Sequence, residues 1–416
     1  MKHKAYCLIF LLFVLGSQAT AQQKPHSLKR NGAFVKGVYT NLFKINGHTG
    51  REISFKINKA FDQLFYGDRS SQAIYFEAGV NHLGNLAYVL DVLHQDVRSE
   101  GMSYGLMITL QLNKKAEFDA LWNFSMTHMY IEKPGHPAEG YFAWSVQQNG
   151  VRNAEGPAPD GEEYIVTALY MAAGRWGNGT GIYNYQAWAD KILNQMRHHP
   201  IHTMINEEKK MILFVPQTKN AAFSDPSYHL PAFYELWALC GPKADRSFWA
   251  AAADTSRAYF QKTTNPSTGL SSDYADFDGK PVHTSYNPDA DHFAYDAWRT
   301  VMNWSVDWNW WHKDVREKEL SYRIQAFFYR QGIQTYGSVY TKEGELIRAG
   351  HPAGLVSTNA VASLASEHPK SKEFVEALWD LPVPHNIGDR YYGGLLYLMS
   401  LLHCSGKFQL FLPVVK

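Results

Sequence analysis

Apolar residues recur at intervals of three and four along most of the chain, which is the spacing of amphipathic helices. This pattern predicts about a dozen helices. They are Ile53–Tyr66, Gly101–Leu112, Lys115–Tyr130, Tyr164–Trp176, Tyr185–His198, Pro231–Leu239, Arg246–Thr263, Asp296–Trp311, Lys318–Gln331, Thr358–Ala365, Lys370–Leu381 and Tyr391–Leu402. Alternating patterns typical of strands are few, and Lys210–Val215 is the best of them. The chain is therefore predicted to be all-α.

The predicted helices are joined by long loops rich in Gly, Pro, Asn and Asp, such as residues 132–144, 149–163 and 283–296. Loops of this length inside a compact domain are more often functional than idle. The sequence contains no Pro/Ser-rich linker and no repeat of fixed period. We expect residues 22–416 to form one domain of helical hairpins arranged in a ring, although periodicity alone does not establish the ring.

The first residues have the pattern of a secretory signal peptide. Lys2 and Lys4 precede an apolar run, Cys7–Leu15, which is too short to span a bilayer and is followed by small residues. We expect residues 1–21 to be removed by cleavage after Ala21, so that the mature protein is exported and has no membrane-inserted segment. Two cysteines then remain, Cys240 and Cys404, which either form a disulfide or act as small buried apolar residues.

Charge and composition exclude few functions by themselves. The formal net charge of +1 gives no argument for nucleic acid or an anionic membrane as a partner. Aromatic residues reach 14%, which suits a cleft that stacks sugars but equally suits a large core. There is no HExxH motif, paired CxxC, P-loop or nucleophile elbow. We therefore expect no metal ion and no cofactor.

Glu100 is the first of three acids that lie where a loop meets a predicted helix. An acid at a helix N-terminus often does no more than complement the helix dipole. The apolar face of the following helix, however, continues through Met102 and Leu106 right up to Glu100. Apolar surroundings favour the neutral form of a carboxyl group, which is what a general acid requires. Both interpretations stay open.

Asp160 is the second acid, in the segment "GPAPDGEEYIVTALY". Its spacing to Glu163 predicts a capping box, in which the two side chains satisfy the first N–H groups of the helix. A contact between Asp160 and a ligand remains open as well.

Asp296 is the third acid, and Arg299 follows it at the spacing of an ion pair on a helix. Such pairs are usually structural and exposed to solvent. This one is surrounded by Tyr295 and Trp298, where an ordinary surface pair would be unusual. Two further acids, Asp289 and Asp291, precede it and compete for any role that is assigned to Asp296.

Taken together, these segments resemble glycoside hydrolase family 8. "RSEGMSYGLMI" (98–108) is similar to the family's signature around its catalytic glutamic acid, and residues 144–170 are similar to its second acidic segment. "FAYDAWRTV" (293–301) is similar to the segment that carries the base aspartate in its commonest branch. The likeness extends from about residue 37 to residue 411 and is greatest to the family's reducing-end xylose-releasing exo-oligoxylanases.

The resemblance implies an (α/α)6 barrel and an inverting hydrolysis of β-1,4-xylo-oligosaccharides. It makes Glu100 the general acid, Asp296 the general base, and Asp160 a further acid that binds the sugar at the point of cleavage. Six residues are then expected to bind substrate. These are Arg98, Trp144, Tyr228, Arg299, His351 and Tyr392.

The resemblance also implies that the segment Leu346–Leu355 closes the leaving-group side of the cleft, with His351 at the anomeric hydroxyl of the terminal xylose. Three alternatives remain open. They are an endo-acting xylanase or glucanase of the same family, a non-catalytic sugar-binding protein and a polysaccharide lyase. Because all three acids are present, an enzyme is favoured over a binding protein. Export together with short substrates would place the enzyme in the periplasm or outside the cell.

Overall fold

The computed structural model describes residues 32–216 and 223–413. The predicted signal peptide, residues 1–21, lies outside these ranges. In the described part of the chain, no helix is both long and apolar enough to cross a membrane. Cys240 and Cys404 are both buried and unpaired, so they act as small core residues rather than as a disulfide.

Within residues 32–216 and 223–413, two four-residue helices precede twelve longer ones. They are α1 (Ala33–Lys36), α2 (Leu42–Ile45), α3 (Gly50–Tyr66), α4 (Ser99–Gln111), α5 (Lys115–Phe124), α6 (Pro159–Trp176), α7 (Tyr185–His198), α8 (Pro231–Cys240), α9 (Arg246–Thr263), α10 (Ala297–Trp311), α11 (Arg316–Gln331), α12 (Ala353–Val361), α13 (Ser371–Asp380) and α14 (Tyr392–Cys404). The twelve longer helices correspond to the twelve that the apolar spacing predicts.

The longer helices alternate along the chain between an inner and an outer ring. The inner helices α4, α6, α8, α10, α12 and α14 are buried on nearly every side. Each inner helix packs against the next, and α14 packs back against α4. The outer helices α5, α7, α9, α11 and α13 each cover the inner helix before them, and α3 covers α14. This closed double ring is the (α/α)6 barrel, and it confirms the predicted fold.

Short strands occupy the loops between helices. Four of them form an antiparallel sheet in the order β1 (Tyr75–Asn81), β2 (Gly84–Asp91), β3 (Asp96–Arg98) and β4 (Ser145–Val146). The others form two-residue or three-residue pairs, namely β5 (Ile205–Asn206), β6 (Met211–Ile212), β7 (Phe223–Ser224), β8 (Ala275–Asp276), β9 (Val339–Tyr340) and β10 (Leu346–Arg348). The strand predicted at Lys210–Val215 is therefore reduced to β6.

The hairpin of β1 and β2 escaped prediction because neither strand alternates cleanly. Strand β2 is buried on both faces over its last six residues, and a β-bulge interrupts its pairing with β1 after Glu77. Continuous burial removes the two-residue period on which strand prediction depends.

Candidate active site

The inner helices begin at the same end of the barrel, and the predicted acids lie at these beginnings. Glu100 and Asp160 belong to the first turns of α4 and α6, and Asp296 directly precedes α10. His351 lies two residues before α12, and Tyr392 is the first residue of α14. Because a helix N-terminus carries a partial positive charge, this end of the ring favours negatively charged groups.

A cleft of about 810 Å³ opens at this end. Of the predicted site residues, Arg98, Glu100, Asp296, His351 and Tyr392 line it. The structure thus brings together groups that lie more than 290 residues apart in the sequence.

The other predicted residues lie below or beside the cleft. Asp160, Tyr228 and Arg299 are buried beneath its floor. Trp144 is 40% exposed and lies at its side. None of these four belongs to the lining itself.

Arg299 is the hub of the site. Its Nη1 donates to Glu100 Oε2 at 3.1 Å, to Asp160 Oδ2 at 2.9 Å and to the Tyr104 hydroxyl at 3.0 Å. Its Nη2 donates to Asp296 Oδ1 at 2.8 Å. Because one buried guanidinium group contacts all three acids, their carboxyl groups are held close together. The Asp296–Arg299 pair predicted from spacing is present, but it is one part of a larger network.

Glu100 has surroundings that keep it protonated near neutral pH. Burial raises its pKa most strongly, Arg299 opposes this, and the neighbouring Asp160 and Asp296 raise the pKa further. Arg98 lowers it by a smaller amount. The result is a pKa of about 7, well above that of an ordinary glutamate. Two carboxylates close to a third disfavour its ionised form, so burial and the other two acids act together.

The Arg98 guanidinium group is held by two acids other than Glu100. Its Nε donates to Asp96 Oδ1 at 3.0 Å, and its Nη1 lies 3.1 Å from Asp91 Oδ2. The pairing of β3 with β4 places Trp144 next to it, with the guanidinium carbon 5.7 Å from the centre of the indole ring.

Tyr391 contacts Glu100 directly, and sequence reasoning missed it in favour of its neighbour Tyr392. The Tyr391 hydroxyl donates to Glu100 Oε1 at 3.1 Å. This contact requires Gly101, because a Cβ atom there would lie 2.7 Å from the Tyr391 hydroxyl. The glycine after Glu100 therefore makes room for the tyrosine that holds its side chain.

The predicted capping box at α6 is wrong. The helix begins at Pro159 and its N-cap, Ala158, offers no side-chain bond. Asp160 instead uses Oδ1 to accept from the Gly161 N–H and Oδ2 to accept from Arg299. Glu163 is fully buried and accepts a hydrogen bond from Tyr234. The first turn of α6 therefore faces inward, where Asp160 contacts Arg299 beneath the cleft.

Asp160 is also a perturbed acid. Burial raises its pKa, and Arg299 opposes the rise. Gly161 brings this turn close to Glu100, because a Cβ atom at this glycine would lie 2.6 Å from the Ser99 hydroxyl.

The two predicted tyrosines flank the hub. The Arg299 guanidinium carbon lies 5.7 Å from the ring centre of Tyr228 and 5.9 Å from that of Tyr392. The Tyr392 hydroxyl donates to the Tyr295 carbonyl oxygen at 2.7 Å, so it holds the backbone beside Asp296.

The acids that compete with Asp296 lie outside the cleft. Asp289 accepts from Arg348 at 2.9 Å, and Asp291 lies 3.2 Å from His292. Neither lines the cleft.

Asp225 and Asp273, which sequence reasoning missed, are both buried, and in both the pKa is raised by burial and by the nearby Asp296. Neither lies in a helix, so helical spacing gave no sign of them.

The family model for "Glycosyl hydrolases family 8" matches residues 92–406, which contain all three acids and every residue that lines the cleft except Asp91. The chain belongs to this family. It is thus a glycoside hydrolase by sequence, fold and the carboxyl groups of its cleft.

Relatives and solved structures match nearly the whole chain. The reducing-end xylose-releasing exo-oligoxylanase Rex8A of Paenibacillus barcinonensis is 42% identical, with 91% of this chain and 98% of that protein covered. The reducing end xylose-releasing exo-oligoxylanase of Halalkalibacterium halodurans is 41% identical over 92% and 97% of the two chains. A family 8 protein of Teredinibacter turnerae, solved with xylobiose, is 49% identical with a TM-score of 0.90 over 92% and 100%. A catalytic mutant of that protein, described as a xylanase, was solved with xylohexaose.

Proposed function

We propose that this enzyme releases xylose from the reducing end of β-1,4-xylo-oligosaccharides with inversion of configuration. Glu100 is the general acid that protonates the glycosidic oxygen, and Asp296 is the base that activates water. Asp160 binds the sugar at the point of cleavage. Support comes from the single guanidinium group that joins the three acids at the floor of the cleft. Arg98, Trp144, Tyr228 and Tyr392 are proposed to position the substrate around them.

The contacts with Arg299 limit the separation of Glu100 and Asp296. An inverting glycosidase needs its two carboxyl groups roughly 6.5–9.5 Å apart, so that a water molecule fits between the base and the sugar. The two contacts to Arg299, together with the width of a guanidinium group, limit the distance between Glu100 Oε2 and Asp296 Oδ1 to about 8 Å. The two acids therefore lie no farther apart than inversion allows.

The observation that favours release of a single terminal sugar is the position of His351. It lines the same cleft as Glu100 and Asp296, together with its neighbours Gly350 and Pro352. Its Nδ1 lies 3.2 Å from the Tyr336 carbonyl oxygen, and burial lowers its pKa, so the ring is neutral at pH 7. A neutral imidazole whose Nδ1 is bound to a carbonyl keeps Nε2 as an acceptor, which suits a sugar hydroxyl.

A second candidate is an endo-acting xylanase. It is favoured by the higher identity to the Teredinibacter turnerae protein than to the two exo-oligoxylanases. Gly350, which lines the cleft beside His351, also adds no side chain there. A longer xylan chain would extend past this part of the cleft if the His351 side chain turned aside. The two candidates share their acid and base and differ only at this end of the cleft.

Early products from xylohexaose distinguish the two modes. We expect xylose and xylopentaose in equal amounts during the first few per cent of reaction, measured by anion-exchange chromatography. The same chain reduced to its alditol should react much more slowly, because the proposed contact of His351 needs an anomeric hydroxyl.

The matched variant His351→Ala is expected to weaken this preference and to yield more xylobiose and xylotriose. Xylobiose, xylotriose and xylotetraose as the first products of the parent enzyme would establish endo action instead. Release of xylose from the alditol at the parent rate would place the attack at the non-reducing end.

The pKa of Glu100 predicts the alkaline limb of the pH profile. A general acid must carry its proton, and Glu100 loses it as the pH rises through about 7. On xylotriose, kcat/KM is therefore expected to fall about tenfold per pH unit above pH 7. Initial rates between pH 4 and pH 10 measure this, and a plateau that extends to pH 9 would remove Glu100 from the role.

We further propose that the enzyme is exported and acts in the periplasm or outside the cell. Support comes from the charged, apolar and small-residue order of residues 1–21. Xylo-oligosaccharides produced by other enzymes would be its substrates there.

A further inference from the structure

The helix that carries the proposed base is capped by a side chain from another part of the chain. Helix α10 begins at Ala297 with Asp296 as its N-cap, but the Asp296 side chain makes no capping bond. Instead, Asp273 Oδ1 accepts hydrogen bonds from the N–H groups of Ala294 at 3.1 Å and Ala297 at 2.9 Å. Asp273 is only 1% exposed and does not line the cleft.

Helix α10 lacks the usual N-cap hydrogen bond because of the orientation of its own N-cap residue, Asp296. An aspartate at an N-cap normally has an extended backbone and uses its carboxylate to accept the free N–H groups of the first turn. Asp296 instead has helical backbone angles, φ −70° and ψ −41°. Its carboxylate accepts from Arg299 and faces the cleft. It is therefore directed away from the first turn of its own helix.

We propose that Asp273 is a positioning residue, which caps α10 in place of Asp296 and so leaves the Asp296 carboxylate free to act on water. The inference rests on the proposed function in one respect, the assignment of the base to Asp296. Without Asp273, two buried N–H groups lose their acceptor, and an unpaired buried donor is costly. The carboxylate of the N-cap residue itself, Asp296, can then turn toward them.

The role requires an oxygen acceptor rather than a negative charge. Burial and the neighbouring Asp296 raise the pKa of Asp273 well above its ordinary value, and a neutral carboxyl oxygen still accepts hydrogen bonds. The amide oxygen of asparagine accepts them equally well. Asp273→Asn therefore keeps the cap and Asp273→Ala removes it.

The alanine variant is expected to fold, because the backbone holds the two segments together independently. The Asp273 N–H donates to the His292 carbonyl oxygen at 2.8 Å, and the Tyr274 N–H donates to the Ala290 carbonyl oxygen at 2.8 Å. Neither bond involves the substituted side chain.

Steady-state kinetics on two substrates test the inference. Xylotriose requires both the acid and the base, whereas β-xylobiosyl fluoride has a leaving group that needs no proton and so requires only the base. A displacement of about 1 Å at a catalytic group costs up to about 100-fold in rate. Asp273→Ala is expected to lower kcat about 10-fold to 100-fold on both substrates with little change in KM. Asp273→Asn should keep at least about a third of the parent kcat on both.

The matched control is Asn184→Ala, which removes a side-chain cap from α7, where Asn184 accepts from the Ala187 N–H. This control should leave kcat unchanged. If it lowered kcat as much as Asp273→Ala does, the effect of Asp273→Ala would be due to general destabilisation. The inference is overturned if Asp273→Ala has the parent kcat. It is also overturned if kcat of Asp273→Asn falls more than about tenfold, whether or not the alanine variant folds. The proposed base fails separately, if Asp296→Asn retains the parent rate.

Discussion

Replacing Glu100 by glutamine is expected to lower kcat on xylotriose by about 10⁴-fold, close to the upper limit for a general acid. The amide keeps the volume of the side chain, an oxygen that accepts from Arg299 and an NH2 group that donates to the Tyr391 hydroxyl, and these two residues contact the two oxygens of Glu100 in the parent. It has no proton to give to a departing xylose. On β-xylobiosyl fluoride the same variant should lose less than about tenfold, because fluoride leaves without protonation. Initial rates on both substrates measure the contrast, and equal losses would contradict the assignment.

The stability of this variant provides its control. In the folded protein the pKa of Glu100 is about 7 rather than 4.5, so the folded state holds the proton more tightly than the unfolded state does. The free energy of unfolding therefore falls as the pH rises from about 4.5 to about 7, by at most about 3 kcal/mol for this group. Glutamine does not ionise, so the variant does not lose this stability as the pH rises. Glu100→Gln should melt at a higher temperature than the parent at pH 8 and at the same temperature at pH 4, which scanning calorimetry measures. Its inactivity would then not be due to unfolding.

The outer helices follow from the sequence more completely than the inner ones. The predicted bounds of α7 and α9 agree with the structure to the residue, because each helix has one buried and one exposed face. Helices α6 and α12 begin five residues earlier than predicted, at Pro159 and Ala353. Helix α6 begins with Pro, Asp and Gly, and helix α12 begins with Ala and Gly, instead of large apolar residues. The apolar pattern therefore misses the starts of these two helices.

Local spacing in the sequence cannot predict most of the contacts of Arg299. Spacing predicted that Asp296 and Arg299 pair, three residues apart, and this pair is present. The contacts of Arg299 with Asp160 and Glu100 span 139 and 199 residues, and they exist only because the ring closes. The resemblance to a known family supplied the three acids and placed Arg299 among the substrate-binding residues, but it did not show that Arg299 joins the three acids.

At two buried positions, the hydrogen bonds of the side chain could not be predicted from the sequence pattern. Glu163 has the spacing of a capping partner, but the helix begins two residues earlier than a capping box at Asp160 requires, and the Glu163 side chain is buried against Tyr234. Asp273 caps a helix that begins 24 residues later, a pairing that no local motif describes. Caps are predictable only when the acceptor and the N–H groups lie within one turn of each other.

The second large effect is expected for Asp296→Asn, which should lower kcat by about 10³-fold or more on xylotriose and on β-xylobiosyl fluoride alike. Both substrates need a base to take a proton from the attacking water, so a better leaving group does not help. Asparagine keeps an oxygen acceptor for Arg299 Nη2, which lies 2.8 Å from Asp296 Oδ1 in the parent. The hub and the fold should therefore persist, as circular dichroism and the melting temperature would show.

The contrast between the two substrates separates the two acids. A loss on xylotriose alone would mean that Asp296 supplies the proton, and the assignments of Glu100 and Asp296 would then have to be exchanged. The matched control is Asp291→Asn, which changes a nearby acid that lies outside the cleft and contacts His292. It should retain the parent rate on both substrates. If Asp296→Asn is active and Asp291→Asn is not, the base is Asp291, and the ion pair of Asp296 with Arg299 is structural.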